Sequence, residues 1–138
     1  KLEEDITSRI NQLSSLLKDI APFAKDRIAK IKESLSEKLS EIDSKNIDEN
    51  RFQQELIYYL EKQDITEEQV RLSTHLNYFL ETMKTDSPNG KKLGFISQEI
   101  GREVNTIGSK SSDAEMQKIV VQMKDELEKI KEQLLNIL

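Results

Sequence analysis

Apolar residues recur at spacings of three and four along nearly the whole chain, and the strict alternation of a half-buried strand appears nowhere. Ile6, Ile10, Leu13, Leu17, Ile20 and Ala24 draw one stripe along a helix, which then slips by one position to Ile28, Ile31, Leu35, Leu39 and Ile42. Pro22 falls at the slip, where its missing N–H and its ring act against the preceding turn. The pattern predicts two helices or one kinked helix, about 65 Å long if straight at 1.5 Å per residue.

A polar break at 43–48 separates this arm from a helix with Phe52, Leu56, Tyr59 and Leu60 on its inner face. Thr66 followed by Gln69 reads as a capping box opening the next helix, which is expected to bury Val70, Leu72, Leu76, Phe79, Leu80 and Met83. The string TDSPNG at 85–90 marks a turn. Leu93, Ile96, Ile100, Val104 and Ile107 carry another helix, with Gly108 as its expected C-terminal cap. Ser112 and Glu115 form a second capping box before the last seam, Met116, Val120, Met123, Leu127, Ile130, Leu134 and Ile137. The predicted class is all-α: long helical hairpins in an elongated bundle with coiled-coil-like seams. Seams of this length want partners, so a homo-oligomer is expected.

Composition narrows the possibilities. Of 138 residues, 36% are hydrophobic and 34% charged, and Gly and Pro are few, which suits long amphipathic helices. The chain starts at Lys1 already in helical pattern and reads as the C-terminal part of a longer protein. The expected division is an arm over 1–45, kinked near Pro22, and a helical domain over 46–138. Without cysteine there are no disulfides and no thiolate zinc sites. No run approaches the roughly 20 apolar residues of a membrane span. A net charge of −5 argues against indiscriminate nucleic-acid binding, but it leaves room for a local basic site.

One stretch is denser in polar groups than a helix surface needs: QEIGREVNTIGSK, 98–110. Glu99 and Glu103 share a helix face, and paired carboxylates suit magnesium or manganese, which would stabilise charge on a phosphate. Arg102 and Lys110 are placed to hold phosphate oxygens, with Asn105, Thr106 and Ser109 following at the helix end. The competing explanation is a solvated face in which Arg102 pairs with Glu99. Gly101 inside the helix costs about 1 kcal/mol relative to Ala, so the close approach of a backbone or ligand would account for it.

His75 flanks an apolar stripe, near Arg71, Glu67 and Glu68, and reads first as a half-buried boundary residue. As the single histidine, it excludes a nuclease built on two histidines within one chain. Lys91 and Lys92 open a helix after a turn, where free N–H groups bind phosphate. Residues 89–112 carry a surplus of two positive charges inside an acidic chain, a pointer to an anionic ligand. Adjacent Tyr58 and Tyr59 point to different faces and make no stacking platform. Walker, GxGxxG, HExxH and nucleophile-elbow motifs do not occur.

The segments EEQVRLSTHLNYF, NGKKLGFISQEIGREVNTIGSKSSDAE and VVQMKDELEKIKEQLLNI resemble the C-terminal domain of the YicC family of bacterial endoribonucleases. The resemblance covers Glu67 to Asn136, and ENRFQQELIYYLEKQDITEE upstream also fits. It implies a bacterial cytoplasmic protein, off the membrane, that cuts RNA with a divalent metal (Mn2+ or Mg2+), assembles as a hexamer and has a further N-terminal half. Carried over by position, Glu99, Glu103, His75, Arg102 and Lys110 are the expected catalytic set. Glu99, Glu103 and Asp113 are the expected metal ligands, and Lys91, Lys92, Arg71, Asn105 and Ser109 the expected RNA contacts. Gly94, Gly101 and Lys91 depart from the family pattern, in which an aspartate, an asparagine and an arginine are usual. A non-catalytic oligomerisation scaffold, its polar motif buried between subunits, is the alternative from another class.

Overall fold

A computed structural model describes residues 2–40, 49–85 and 89–136. The expected break at 43–48, the turn residues 86–88, the side chain of Leu39, and Ile42 and Ile137 lie outside the described residues. Five helices and no strand occur among those described: α1 (Leu2–Ser40), α2 (Glu49–Gln63), α3 (Thr66–Met83), α4 (Gly90–Lys110) and α5 (Ala114–Leu135). The all-α class expected from the periodicity is the observed one.

Helices α1, α3, α4 and α5 close a four-helix bundle in which α1 packs on α5 and α3, while α4 packs on α3 and α5. Its shared core joins Ile6, Ile10, Leu13 and Ile20 of α1 to Leu72, Leu76 and Phe79 of α3, with the apolar seams of α4 and α5. The pairs Arg9–Glu126 and Arg27–Ser112 show that α1 and α5 run antiparallel. They also place the start of α5 level with Arg27. The 39 residues of α1 span roughly 58 Å at 1.5 Å each, against roughly 33 Å for the 22 of α5. The last third of α1 therefore runs past α5 and packs on α2. Ile28, Ile31 and Leu35 of α1, with Phe52, Leu56 and Leu60 of α2, are only half-buried in that two-helix arm.

Several local expectations are resolved or corrected. Of the two readings left open at Pro22, the single helix is the observed one. Pro22 is exposed, as is Lys18 one turn earlier, so the carbonyl that loses its N–H partner faces water. Leu16, not Leu17, takes the buried seam position. Tyr59 is exposed on α2. Val70 is 62% exposed, and the buried stripe of α3 runs instead through Ile65, Glu68, Leu72, Leu76 and Phe79. At the start of α3 the Thr66 N–H and hydroxyl donate to Asp64, at 2.9 and 2.5 Å, in place of a Thr66–Gln69 box. Asp113, not Ser112, caps α5, accepting from the N–H groups of Glu115 and Met116 at 2.7 and 3.2 Å.

Gly108 does not end α4, which continues to Lys110 and is capped at Ser111. It shares a role with Gly101 one heptad earlier, because both face α5. A Cβ at Gly101 would lie 3.2 Å from Leu127 Cδ2, and one at Gly108 would lie 3.1 Å from Val120 Cγ1. The sequence called for a backbone or a ligand close to Gly101; what approaches it is neither, but the α5 side chain of Leu127.

Candidate functional site

Helices α3 and α4 form an antiparallel hairpin, shown by the contacts Glu68–Lys110, Arg71–Glu103 and Tyr78–Lys92 down its length. Along one edge α3 presents Arg71, His75 and Tyr78, at helical spacings of four and three. The facing edge of α4 presents Lys92, Phe95, Glu99, Glu103 and Lys110. The fold thus aligns Arg71, His75, Lys92, Glu99, Glu103 and Lys110 on one edge, because each falls on the flank of an apolar stripe.

Two carboxylates anchor this edge from within. Glu103 is 5% exposed, and its two oxygens accept from Arg71 Nε at 2.9 and 3.0 Å. Arg71 Nη1 reaches Glu67 at 3.3 Å. The Glu103 hydrogen bond is the main reason the Arg71 guanidinium is held even more firmly protonated than usual; partial desolvation opposes it and the Glu67 bond adds to it. Glu68 is 1% exposed and accepts from Lys110 Nζ at 2.8 and 3.4 Å, with Arg71 Nη2 at 4.0 Å. Lys110 Nζ also donates to the Asp64 carbonyl at 3.2 Å. The Asp64 carboxyl sits below its ordinary value, chiefly through the Thr66 hydroxyl and against slight burial, aided by the Thr66 N–H and Lys110. No buried side-chain polar atom among the described residues lacks a partner.

Glu67 and Glu68 belong to the polar group expected around Arg71 and His75; Asp64, and the burial of Glu68 against Lys110, were not expected. The signal was available: Glu68 is in phase with Ile65, Leu72, Leu76 and Phe79, and an acid at a core position demands an internal cation. That cation, Lys110, is 42 residues away and became visible only when α4 folded back.

Residues 20–138 match the family described as endoribonuclease YicC-like, C-terminal. The chain belongs to this family. It is 42% identical over 139 aligned residues to the probable endoribonuclease YicC of Clostridioides difficile, covering 99% of this chain and 47% of that protein. The probable endoribonuclease YicC of Haemophilus influenzae is 36% identical over 92 residues, 67% of this chain and 32% of that protein. The chain thus spans about half or less of the curated relatives it matches.

The remaining expected residues of this YicC-like domain fall in three places. Arg102 lies on the outer surface and pairs loosely at 3.7 Å with Glu99 of the edge, both open to solvent. Lys91, Asn105 and Ser109 are exposed, and the Ser109 hydroxyl donates to the Asn105 carbonyl at 3.0 Å. Thr106 donates likewise to the Arg102 carbonyl, and His75 is half-buried on the α3 edge. Asp113 is engaged at the N-terminus of α5 and borders a groove of about 560 Å³ with Phe23, Arg27 and Tyr59.

Glu61, Asp64, Glu67 and Glu68 line a cavity of about 310 Å³ around Lys110, an acidic surplus of the right sign for a divalent cation. Among the described residues, however, no group of three or more His, Cys, Asp or Glu is placed to hold a metal ion. Glu103 and Glu68 give their oxygens to Arg71 and Lys110. Among the described residues these engaged carboxylates do not by themselves make a metal cage. Among the described residues no helix is long and apolar enough to cross a membrane.

Proposed function

We propose that this chain is the RNA-cleaving C-terminal part of a YicC-like endoribonuclease, with its reacting centre on the α3/α4 edge. The observation that carries the reading is the pair of buried carboxylates, Glu103 and Glu68, holding Arg71 and Lys110 at a solvent boundary. Cations restrained before the substrate arrives lose little on meeting a phosphate, and a guanidinium offers two parallel donors to its oxygens. Arg71 and Arg102 engage the scissile phosphate, and Lys110 neutralises charge beside it. Glu99 is the carboxylate left open to take a proton from the attacking oxygen, and His75 on the facing helix carries one. Glu103 orients Arg71.

Dependence on manganese or magnesium enters this reading from the family resemblance, as do a hexameric assembly and the bacterial cytoplasm; Glu99 and Glu103 are proposed as ligands on their spacing as well, with Asp113 as the third. Among the described residues no group of three acids is placed to hold the ion. Lys91, Lys92, Asn105 and Ser109 remain the proposed outer RNA contacts.

The test is cleavage of an end-labelled structured RNA by this chain, alone and extended by the N-terminal half that the resemblance implies. Each is run with manganese, magnesium or chelator. Glu99→Gln and Glu103→Gln should each slow cutting by orders of magnitude while circular dichroism stays helical. Full activity in both variants would sink the assignment. The absence of cutting by every form would favour the assembly scaffold.

A further inference from the structure

The end of the same edge away from Lys110 is different in kind. Phe95 is 60% exposed, and Tyr78 is also open, with Lys92 Nζ 4.9 Å from its ring centroid. Phe95 lies three residues after Lys92 and four before Glu99, while Tyr78 lies two turns beyond Arg71. Tyr78 therefore continues the edge that holds Arg71 and Glu103, and Phe95 stands on its outward side, about 12 Å along α4 from Glu103 at 1.5 Å per residue. Neither ring belongs to the core, where Ile96 and Phe79 fill the neighbouring buried positions. Lys91 is exposed beside them, and the stretch 89–96 contains no acid.

We propose that Phe95, Tyr78 and Lys92 form a stacking subsite for an unpaired RNA base next to the cleavage edge; this deepens, and rests on, the nuclease reading above. An exposed ring flanked by ammonium groups matches the flat face and phosphate of a nucleotide better than it matches an apolar protein surface. A base can use that ring only when it is splayed out, because pairing and stacking in a duplex cover its faces. The subsite thus selects loops and single-stranded segments, and it sets such a segment in line with Arg71 and Glu99.

The experiment measures the affinity of the chain for a fluorescent, unstructured oligoadenylate by anisotropy in chelator, which keeps binding apart from cutting. Phe95→Ala should weaken binding about tenfold, the range measured for one lost stacking contact. Phe95→Leu should behave like Phe95→Ala, and Phe95→Trp should bind at least as well as wild type. All three should keep the thermal midpoint of wild type. Lys92→Gln should reduce the salt dependence by about one counterion. Unchanged affinity in Phe95→Ala overturns the subsite, and so does a Phe95→Ala protein whose sedimentation mass changes while its RNA affinity does not. If wild type ignores the oligonucleotide yet still cuts structured RNA, the subsite falls and the nuclease reading stands. If Phe95→Ala loses affinity while Glu99→Gln and Glu103→Gln cut normally, the catalytic assignment falls and the subsite stands.

Discussion

The contact between Glu68 and Lys110 can be weighed by removing one partner. Glu68 is 1% exposed, and the Lys110 side chain is 28% exposed with its Nζ 2.8 Å from Glu68 Oε1. Lys110→Met keeps most of the aliphatic stem but strips the ammonium from a buried carboxylate, whose nearest remaining cation is Arg71 Nη2 at 4.0 Å. Breaking a buried pair from one side costs about 3–5 kcal/mol. The nearby guanidinium and the partly open lysine put the loss here at about 2–3 kcal/mol. Against a total of about 5–15 kcal/mol for a domain, that is a large fraction. It should lower the thermal midpoint by roughly 10 °C at this size. Adding Glu68→Met removes the stranded charge, and the double variant should return to within about 1 kcal/mol of wild type. Urea titrations of the four proteins, read as shifts in midpoint at constant slope, complete the cycle. A Lys110→Met protein within about 0.5 kcal/mol of wild type, or a double variant no better than the single, would refute the reasoning.

Three further outcomes follow from the same packing. A Cβ at Gly94 meets nothing within 4 Å, so Gly94→Ala should stabilise α4 by about 1 kcal/mol, whereas Gly108→Ala, pressed on β-branched Val120, should gain nothing or lose stability; calorimetry of the two compares them directly. Leu72→Ala should cost about 2–5 kcal/mol and Val70→Thr no more than about 0.5, because Leu72 is enclosed and Val70 faces water; equal losses in urea would put the α3 stripe in the wrong phase. Asp64 has a folded pKa below its ordinary 3.8, so its contribution is present above that value and lost as pH falls through the lower folded one. Asp64→Asn should accordingly flatten the acid limb of a urea-midpoint profile below about pH 4 and leave its shape near neutrality unchanged.

Helical class, the seams of α4 and α5, and the candidate polar stretch were legible in the chain because each rests on spacing within one helix. Ile100, Val104 and Ile107 share a face at any depth in any fold, as do Glu99 and Glu103. Which member of a local choice wins was less legible. Leu16 over Leu17, and Asp113 over Ser112 as a cap, turn on rotations and backbone angles that neighbouring residues of similar chemistry do not distinguish.

What the tertiary structure alone decided are the pairings between helices. Gly108 carried the mark of a helix end, but the seating of Val120 against it made it an interior contact. Glu68 read as a neighbour of Arg71 and His75, and its true partner, Lys110, came from 42 positions away. Glu103, Arg71, Tyr78 and Lys92 likewise became one edge only through the antiparallel closure of α3 on α4. A local pattern records which face a residue occupies. What opposes that face depends on how the hairpin turns and on the bundle that buries it, and with those come the charge, exposure and partner that give a side chain its work.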